Sequence, residues 1–297
     1  MKKHSFIFVF ILLVISKSYG QNEYETVPNI DLALIAQEHH GNSYITAPTD
    51  IGNIEPLWFE ANMIPNFNVR TNKKSRLLGV LTPQIILRMY QEESDPVKTP
   101  SYMPQLTVYY KLKKEGRACS LNVFGKIAHH SNGQDGDFYL DNGDINYRTA
   151  SFSTNYIEAG LIKTRFSERF NAVQFFSSSF EIHPKALTIE ELYGQYPLYK
   201  WNNIFSIFRL QKNKGEDTRA NISVRGEFSY VLGDYNNLNA IAGERIQAKL
   251  TFFYHPKFLE EIGFFVQFYQ GADYYNIYFD HQRTMIRFGI MTDKLRF

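Results

Sequence analysis

The sequence predicts an all-β fold, a transmembrane antiparallel β-barrel of about 12 strands, with about ten as the alternative. Three observations carry this: an export leader, repeated two-residue alternation of apolar and polar side chains, and links that are short and long in turn.

The leader opens with Lys2 and Lys3, followed by an apolar run from Phe6 to Ile15 and by Ser18-Tyr19-Gly20. That is the layout of a secretory signal peptide, and the run is short for a membrane helix. Residues 1–20 are therefore expected to be removed, with the mature start near Gln21. No cysteine follows the run, which argues against a lipoprotein anchor. The chain holds 32 basic and 30 acidic residues, and losing Lys2, Lys3 and Lys17 leaves 29 against 30. A nucleic-acid partner would need a basic surplus, so none is expected. Cys119 is a single cysteine and cannot form an internal disulfide. It reads as a small buried or membrane-facing residue rather than a nucleophile.

Alternation is the second observation. In residues 102–112 the even positions include Tyr102, Pro104, Leu106, Val108, Tyr110 and Leu112, with Gln105, Thr107 and Lys111 between them. Residues 221–232 set Ile222, Val224, Phe228, Tyr230 and Leu232 against Ser223, Arg225, Glu227 and Ser229. Residues 245–254 set Ile246, Leu250, Phe252 and Tyr254 against Arg245, Gln247, Lys249 and Thr251. Period two over such lengths makes strands with one apolar face, each about long enough to cross a bilayer at a tilt. Aromatics reach 16% while mean hydropathy stays at −0.33. That balance suits a barrel, in which lipid-facing and lumen-facing residues average out. A soluble exported sandwich could also turn its charged face outward, so alternation alone leaves both open.

The links add weight to the barrel. Short ones at 113–117, 212–217 and 255–258 intervene between longer ones near 92–101, 132–150, 184–201, 233–243 and 270–280. Short turns at one end and long loops at the other are the outer-membrane pattern. Ten strands are clear between Arg76 and Met291, and a further pair falls in 54–72, where the pattern is poor. Residues 21–48 read as a periplasmic N-terminal segment and 49–297 as the barrel. The chain ends on a strand and an aromatic, Phe297.

One strand carries chemistry. In residues 120–131 the odd positions read Leu121, Val123, Gly125, Ile127, His129 and Ser131. The apolar stripe thus runs into His129 and Ser131, which share one face at i and i+2 just before the turn Asn132-Gly133. Asn155 stands at the top of the apolar stripe of the next strand and could approach His129 across an antiparallel pair. Ser, His and a polar orienter on one surface meet the requirement for an activated hydroxyl. Against this stands a plainer reading: Ser-Asn-Gly is an ordinary turn signal and the histidines sit at a membrane interface.

The segment His129–Gly133, the stretch Ser151-Phe152-Ser153-Thr154-Asn155 and the last strand resemble the outer membrane phospholipase A family. So does the run Glu92-Glu93-Ser94-Asp95-Pro96 ahead of Tyr102-Met103-Pro104-Gln105. The resemblance covers most of the mature chain and is weakest before residue 76. It implies a twelve-stranded barrel with a Ser-His-Asn triad on its outer surface. Such an enzyme hydrolyses acyl esters of phospholipids and lysophospholipids, needs Ca²⁺ and is activated as a homodimer. By that resemblance Ser131 is the nucleophile, His129 the base, Asn155 the orienter and Gly133 an oxyanion-hole donor. The calcium ligands would be the Gln134 carbonyl, the Ser151 hydroxyl and the Ser94 carbonyl of the other subunit, all hard oxygens. Two features depart from the pattern. The loop from Ser131 to Asn155 is longer, with Asp135, Asp137, Asp141 and Asp144 in it, and 271–281 keeps only part of the pattern. The competing expectation is a non-enzymatic outer-membrane barrel, a small channel or adhesion protein.

Overall fold

Alternating side chains demand a sheet with two unlike faces, and closure of that sheet leaves no unpaired edge. A computed structural model describes residues 28–46, 51–94, 96–114, 118–211, 219–292 and 295–297. The expected signal peptide, residues 1–20, lies outside the described residues.

Among the described residues a helix, α1 (Leu32–His40), precedes the sheet. The first strand segments are β1 (Tyr44–Thr46), β2 (Ile51–Gly52), β3 (Leu57–Met63), β4 (Phe67–Val69) and β5 (Leu77–Tyr90). Then come β6 (Ser101–Lys114), β7 (Ser120–Ser131), β8 (Ser153–Ser167), β9 (Ala172–Ile182) and β10 (Tyr199–Leu210). The last are β11 (Ala220–Leu232), β12 (Ile246–Tyr254), β13 (Ile262–Ala272) and β14 (Gln282–Thr292). β1 and β2 both pair with β14 and form one stave; β3 and β4 both pair with β5 and form a second. With the ten strands β5 to β14 this makes a closed antiparallel barrel of 12 strands, sealed where β1 joins β3 to β14. The seam is tight. A Cβ on Gly289 would run into the Ile45 carbonyl, so only glycine lets the two backbones meet there.

The outer face is a belt of exposed apolar side chains, among them Leu106, Ile127, Phe180, Phe205, Phe252 and Phe268. An apolar surface of that extent has no place in water and suits lipid. The inner face is polar and paired. Arg88, 0% exposed, binds Glu60 and Asp273, while Lys126 binds Glu158 and Lys249 binds Glu227. The poor pattern of 54–72 has its cause here. Glu60 points inward and is fully buried, and a register shift at Leu57/Phe59 interrupts the alternation on β3.

Two plugs close the barrel. At the long-loop end Phe138, Phe152, Leu192, Tyr196, Ile277 and Phe279 form one apolar cluster from three loops. At the short-turn end α1 packs Leu32, Ile35 and Ala36 against inward-facing Leu78, Tyr109, Phe124, Ile162 and Phe208. Phe297 turns in beside Phe208 rather than extending β14. The expected boundaries therefore shift. The barrel begins at Tyr44 rather than at 49, and residues 30–40 of the expected periplasmic segment fill the barrel's interior. The helix is short, and partners distant in sequence give it its place. Asp31 caps its first turn by accepting from Leu34 N at 2.9 Å. Arg225 closes its last turn by donating to the Glu38 carbonyl (2.5 Å) and carboxylate (2.7 Å) and to the His39 carbonyl (3.2 Å).

Burial pulls the His40 pKa from its ordinary 6.5 to about 3, with Lys126 and Arg225 adding to the shift. Burial lowers His39 as well. The undocked helix binds protons that the docked helix refuses. Docking is therefore complete above the ordinary histidine pKa and weakens as pH falls toward 3. Protease cleavage within residues 28–41 should rise as the pH is taken from about 7 to about 4, and unchanged cleavage would contradict this.

Candidate active site

β7 alternates as its sequence demands. Asn122, Phe124 and His130 are buried inward, while Ile127, His129 and Ser131 face outward. β8 pairs with it antiparallel, so that His129 lies opposite Asn155 and Ser131 opposite Ser153. His129 Nδ1 and Asn155 Oδ1 are 3.0 Å apart. The Asn155 amide is oriented from its other side, where Nδ2 donates to the Leu187 carbonyl at 2.8 Å. A carbonyl can only accept, so the amide oxygen must face His129. The His129 Nδ1 then carries the proton, and Nε2 keeps the lone pair of a base.

The strand on the other side opens a groove. The β6–β7 register passes from Tyr102↔Ser131 to Gln105↔Ala128 without pairing Met103 or Pro104. Pro104 has no N–H to give and falls opposite His129 in that register. A groove of about 500 Å³ lies there, lined by Leu81, Pro104, Leu106, Ile127, Ile157 and Leu187 beside His129 and Asn155. Its wall is mainly apolar and it opens on the lipid-facing side.

The turn after Ser131 is held by Asn132, which the sequence marks only as a turn residue. Asn132 is buried; its Oδ1 accepts from Gln134 N and Phe152 N, and its Nδ2 donates to the Ala150 carbonyl. This fixes Gly133 at φ +69, a left-handed conformation that glycine adopts freely. The Gly133 N–H has no acceptor among the described residues. Tyr102 packs over Gly133, with ring atoms 3.4 Å from where a Cβ would stand.

The expected calcium ligands are partly brought together. Ser151 N donates to Gly136 O (2.9 Å), and Gly136 N to Thr149 O (2.9 Å). These bonds lay residues 134–136 alongside 149–151. The Gln134 carbonyl and the Ser151 hydroxyl carry no hydrogen bond among the described residues, and exposed Asp135 follows. A donor set of unpaired neutral oxygens with a carboxylate nearby fits a hard cation. Ser94 is exposed in the loop between β5 and β6. Asp137, Asp141 and Asp144 are exposed along a folded hairpin in which Tyr139 bridges Ile145. Among the described residues no three His, Cys, Asp or Glu side chains gather as a metal cluster.

The fold has known counterparts. The outer membrane phospholipase A structure from Escherichia coli matches with a TM-score of 0.57 and 13% identity, over 86% of this chain and 93% of that one. An active-site mutant of the same enzyme at pH 6.1 matches at 0.56 and 14%, over 93% and 95%. The Salmonella typhi outer membrane phospholipase, a dimer with bound calcium, matches at 0.58 and 14%, over 91% and 100%. No family model and no curated protein sequence matches the chain. At this identity the likeness is one of fold.

Proposed function

We propose that this protein is an outer-membrane phospholipase that cleaves acyl esters of phospholipids and lysophospholipids with Ser131, His129 and Asn155. The observation that carries the reading is the 3.0 Å His129–Asn155 pair on the lipid side of the barrel, beside an apolar groove. A pore or adhesin has no use for an oriented base facing lipid. A lumen crossed by paired charges and plugged at both ends also argues against an open pore.

In the reaction, Ser131 Oγ attacks the ester carbonyl carbon as its proton passes to His129 Nε2. Asn155 holds the ring in that tautomer and stabilises the imidazolium that forms. The oxyanion takes the Gly133 N–H. Collapse breaks the C–O bond to the glycerol oxygen, which leaves with the proton from His129. Water, deprotonated by His129, then releases the fatty acid from Ser131. The acyl chain lies in the groove between Leu106, Ile127 and Ile157.

Calcium fits beside this site, held by the Gln134 carbonyl and the Ser151 hydroxyl, with water and a Ser94 carbonyl from a second copy as further ligands. When bound it supplies positive charge to the developing oxyanion. The active form is then a homodimer, and the long-loop end lies at the outer leaflet.

Two measurements test the reading. A fluorophosphonate should label the folded barrel at Ser131 and nowhere else; labelling that persists without Ser131 counts against it. Phospholipid hydrolysis in detergent should fall by more than about ten-fold with a calcium chelator and return on adding calcium. Equal rates with and without the chelator would remove the metal from the scheme.

A further inference from the structure

Asn155 is oriented by a backbone carbonyl, and what fixes that carbonyl lies on the other face of the sheet. Thr154, the residue before Asn155, points inward and is 0% exposed. Its Oγ1 is 2.8 Å from His183 Nδ1 and 2.8 Å from Thr188 Oγ1. His183, 1% exposed, sets its Nε2 2.8 Å from Glu181 Oε1. The same carboxylate accepts from Lys200 Nζ (2.6 Å) and Asn202 Nδ2 (2.9 Å).

The segment 184–189 is laid across the end of β8 by these groups. Thr188 bridges Thr154 in antiparallel register, and Ile189 N donates to Ser153 O at 3.2 Å. The segment is closed on itself by Thr188 N to Lys185 O (3.1 Å), by Thr188 Oγ1 to Pro184 O (3.1 Å) and by Tyr193 Oη to Lys185 O (2.7 Å). One residue before Thr188, Leu187 gives its carbonyl to Asn155.

The order hydroxyl, imidazole, carboxylate in Thr154, His183 and Glu181 is that of a nucleophilic set. Thr154 has no exposed surface, so no ester carbonyl can reach it. Burial lowers the His183 pKa and keeps the ring neutral. Its Nε2–H then donates to Glu181, its Nδ1 accepts from the Thr154 hydroxyl, and the single Thr188 hydroxyl proton is shared between Thr154 Oγ1 at 2.8 Å and Pro184 O at 3.1 Å. A buried hydrogen-bonded network of this kind rigidifies what it touches.

We propose that His183 is a positioning residue for the site. Together with Thr154 and Thr188 it clamps the 184–189 segment, so that the Leu187 carbonyl holds the Asn155 amide with its oxygen toward His129. The inference rests on the hydrolase reading above.

Thr154→Val keeps the shape and removes the hydroxyl, Thr154→Ser keeps the hydroxyl, and His183→Ala removes the ring. The full chain is refolded in detergent with calcium, its active sites are counted with a fluorophosphonate, and kcat and KM are measured on a phospholipid in mixed micelles. Thr154→Val and His183→Ala should lower kcat per labelled site by about ten-fold or more, because a small misplacement of the base is costly. Thr154→Ser should restore kcat, and KM should change less than kcat, since of the groove's apolar lining only Leu187 rides on the clamped segment. In an Asn155→Ala background Thr154→Val should change kcat by less than about two-fold, as the group it positions is gone. A merely structural role would reduce the number of labelled sites and leave kcat per site unchanged; that result overturns the proposal. So does an equal loss in the Asn155→Ala background. Ser131-dependent activity with a silent Thr154→Val defeats the brace alone. Activity that survives Ser131→Ala defeats the hydrolase reading and the brace with it.

Discussion

Ser131→Ala leaves a barrel that folds, resists heat in a gel and releases no measurable fatty acid from phospholipid. The expected loss is about 10⁶-fold in kcat, near 8 kcal/mol of transition-state stabilisation, because the covalent route closes altogether. His129→Ala should cost about as much, since nucleophile and base act as one unit. Asn155→Ala should cost less, about 10²- to 10⁴-fold, because the imidazole remains and only its tautomer and direction are released. The folded state should not notice Ser131→Ala. Ser131 faces outward at the end of β7, and among the described residues no side-chain hydrogen bond of its own holds the turn, which hangs on Asn132. The measurement is fatty-acid release per folded barrel. A Ser131→Ala protein within ten-fold of wild type would end the case for this nucleophile.

Glu60→Ala should produce the largest loss of stability. Glu60 accepts from Arg88 Nε at 2.7 Å, Arg287 Nη1 at 2.6 Å, Tyr44 Oη at 2.7 Å and Tyr274 Oη at 2.7 Å, all inside the barrel. Asp273 carries the rest of the cluster, taking Arg88 in a fork at 2.8 and 2.9 Å and Arg283 at 3.1 Å. Removing Glu60 leaves three buried guanidinium groups, Arg88, Arg283 and Arg287, with Asp273 as the remaining carboxylate of the cluster. Breaking a buried ion pair from one side costs about 3–5 kcal/mol, most of it the stranded charge. Glu60→Gln keeps the shape and should cost less. Urea midpoints of the barrel in detergent would show the order wild type, Gln, Ala. A midpoint unmoved by Glu60→Ala would mean that water or a shifted arginine repairs the site.

How much of this was legible in the sequence depended on how local the cause was. The parity of β7 put His129 and Ser131 outside and His130 inside, because one buried face fixes a strand's register. Asn155 was placed opposite His129 by simple continuity of two adjacent strands, and the pairing is direct. The first two staves are obscure because a register shift at Leu57/Phe59 breaks the alternation, and the arginines that pair the buried Glu60 are 28 and 227 residues away. Helix α1 was hidden for the same reason: its apolar face is matched by strands from β5 to β10. At the site, side-chain identities were readable and backbone roles were not. Asn132 looked like a turn residue, although its amide joins three backbone groups. The Leu187 carbonyl left no mark at all, since every residue type has one. Pro104 was noted within a motif, yet its effect, a ladder left open opposite His129, follows from the missing N–H.

The seam between β1, β2 and β14 sets an order of events. β14 meets β13 over 11 register pairs but meets the first stave over only 3 and 2. Those few pairs join residues as far apart in sequence as Tyr44 and Met291, so they form late in a chain that builds local hairpins first. Helix α1 lies only a few residues before β1 and already belongs inside the wall that β1 completes. Seating the helix early covers the inward apolar side chains of that wall while the seam is still open. Until those few pairs close, β14 offers an unpaired edge, and the open, curled sheet is the form most prone to pair with a second chain.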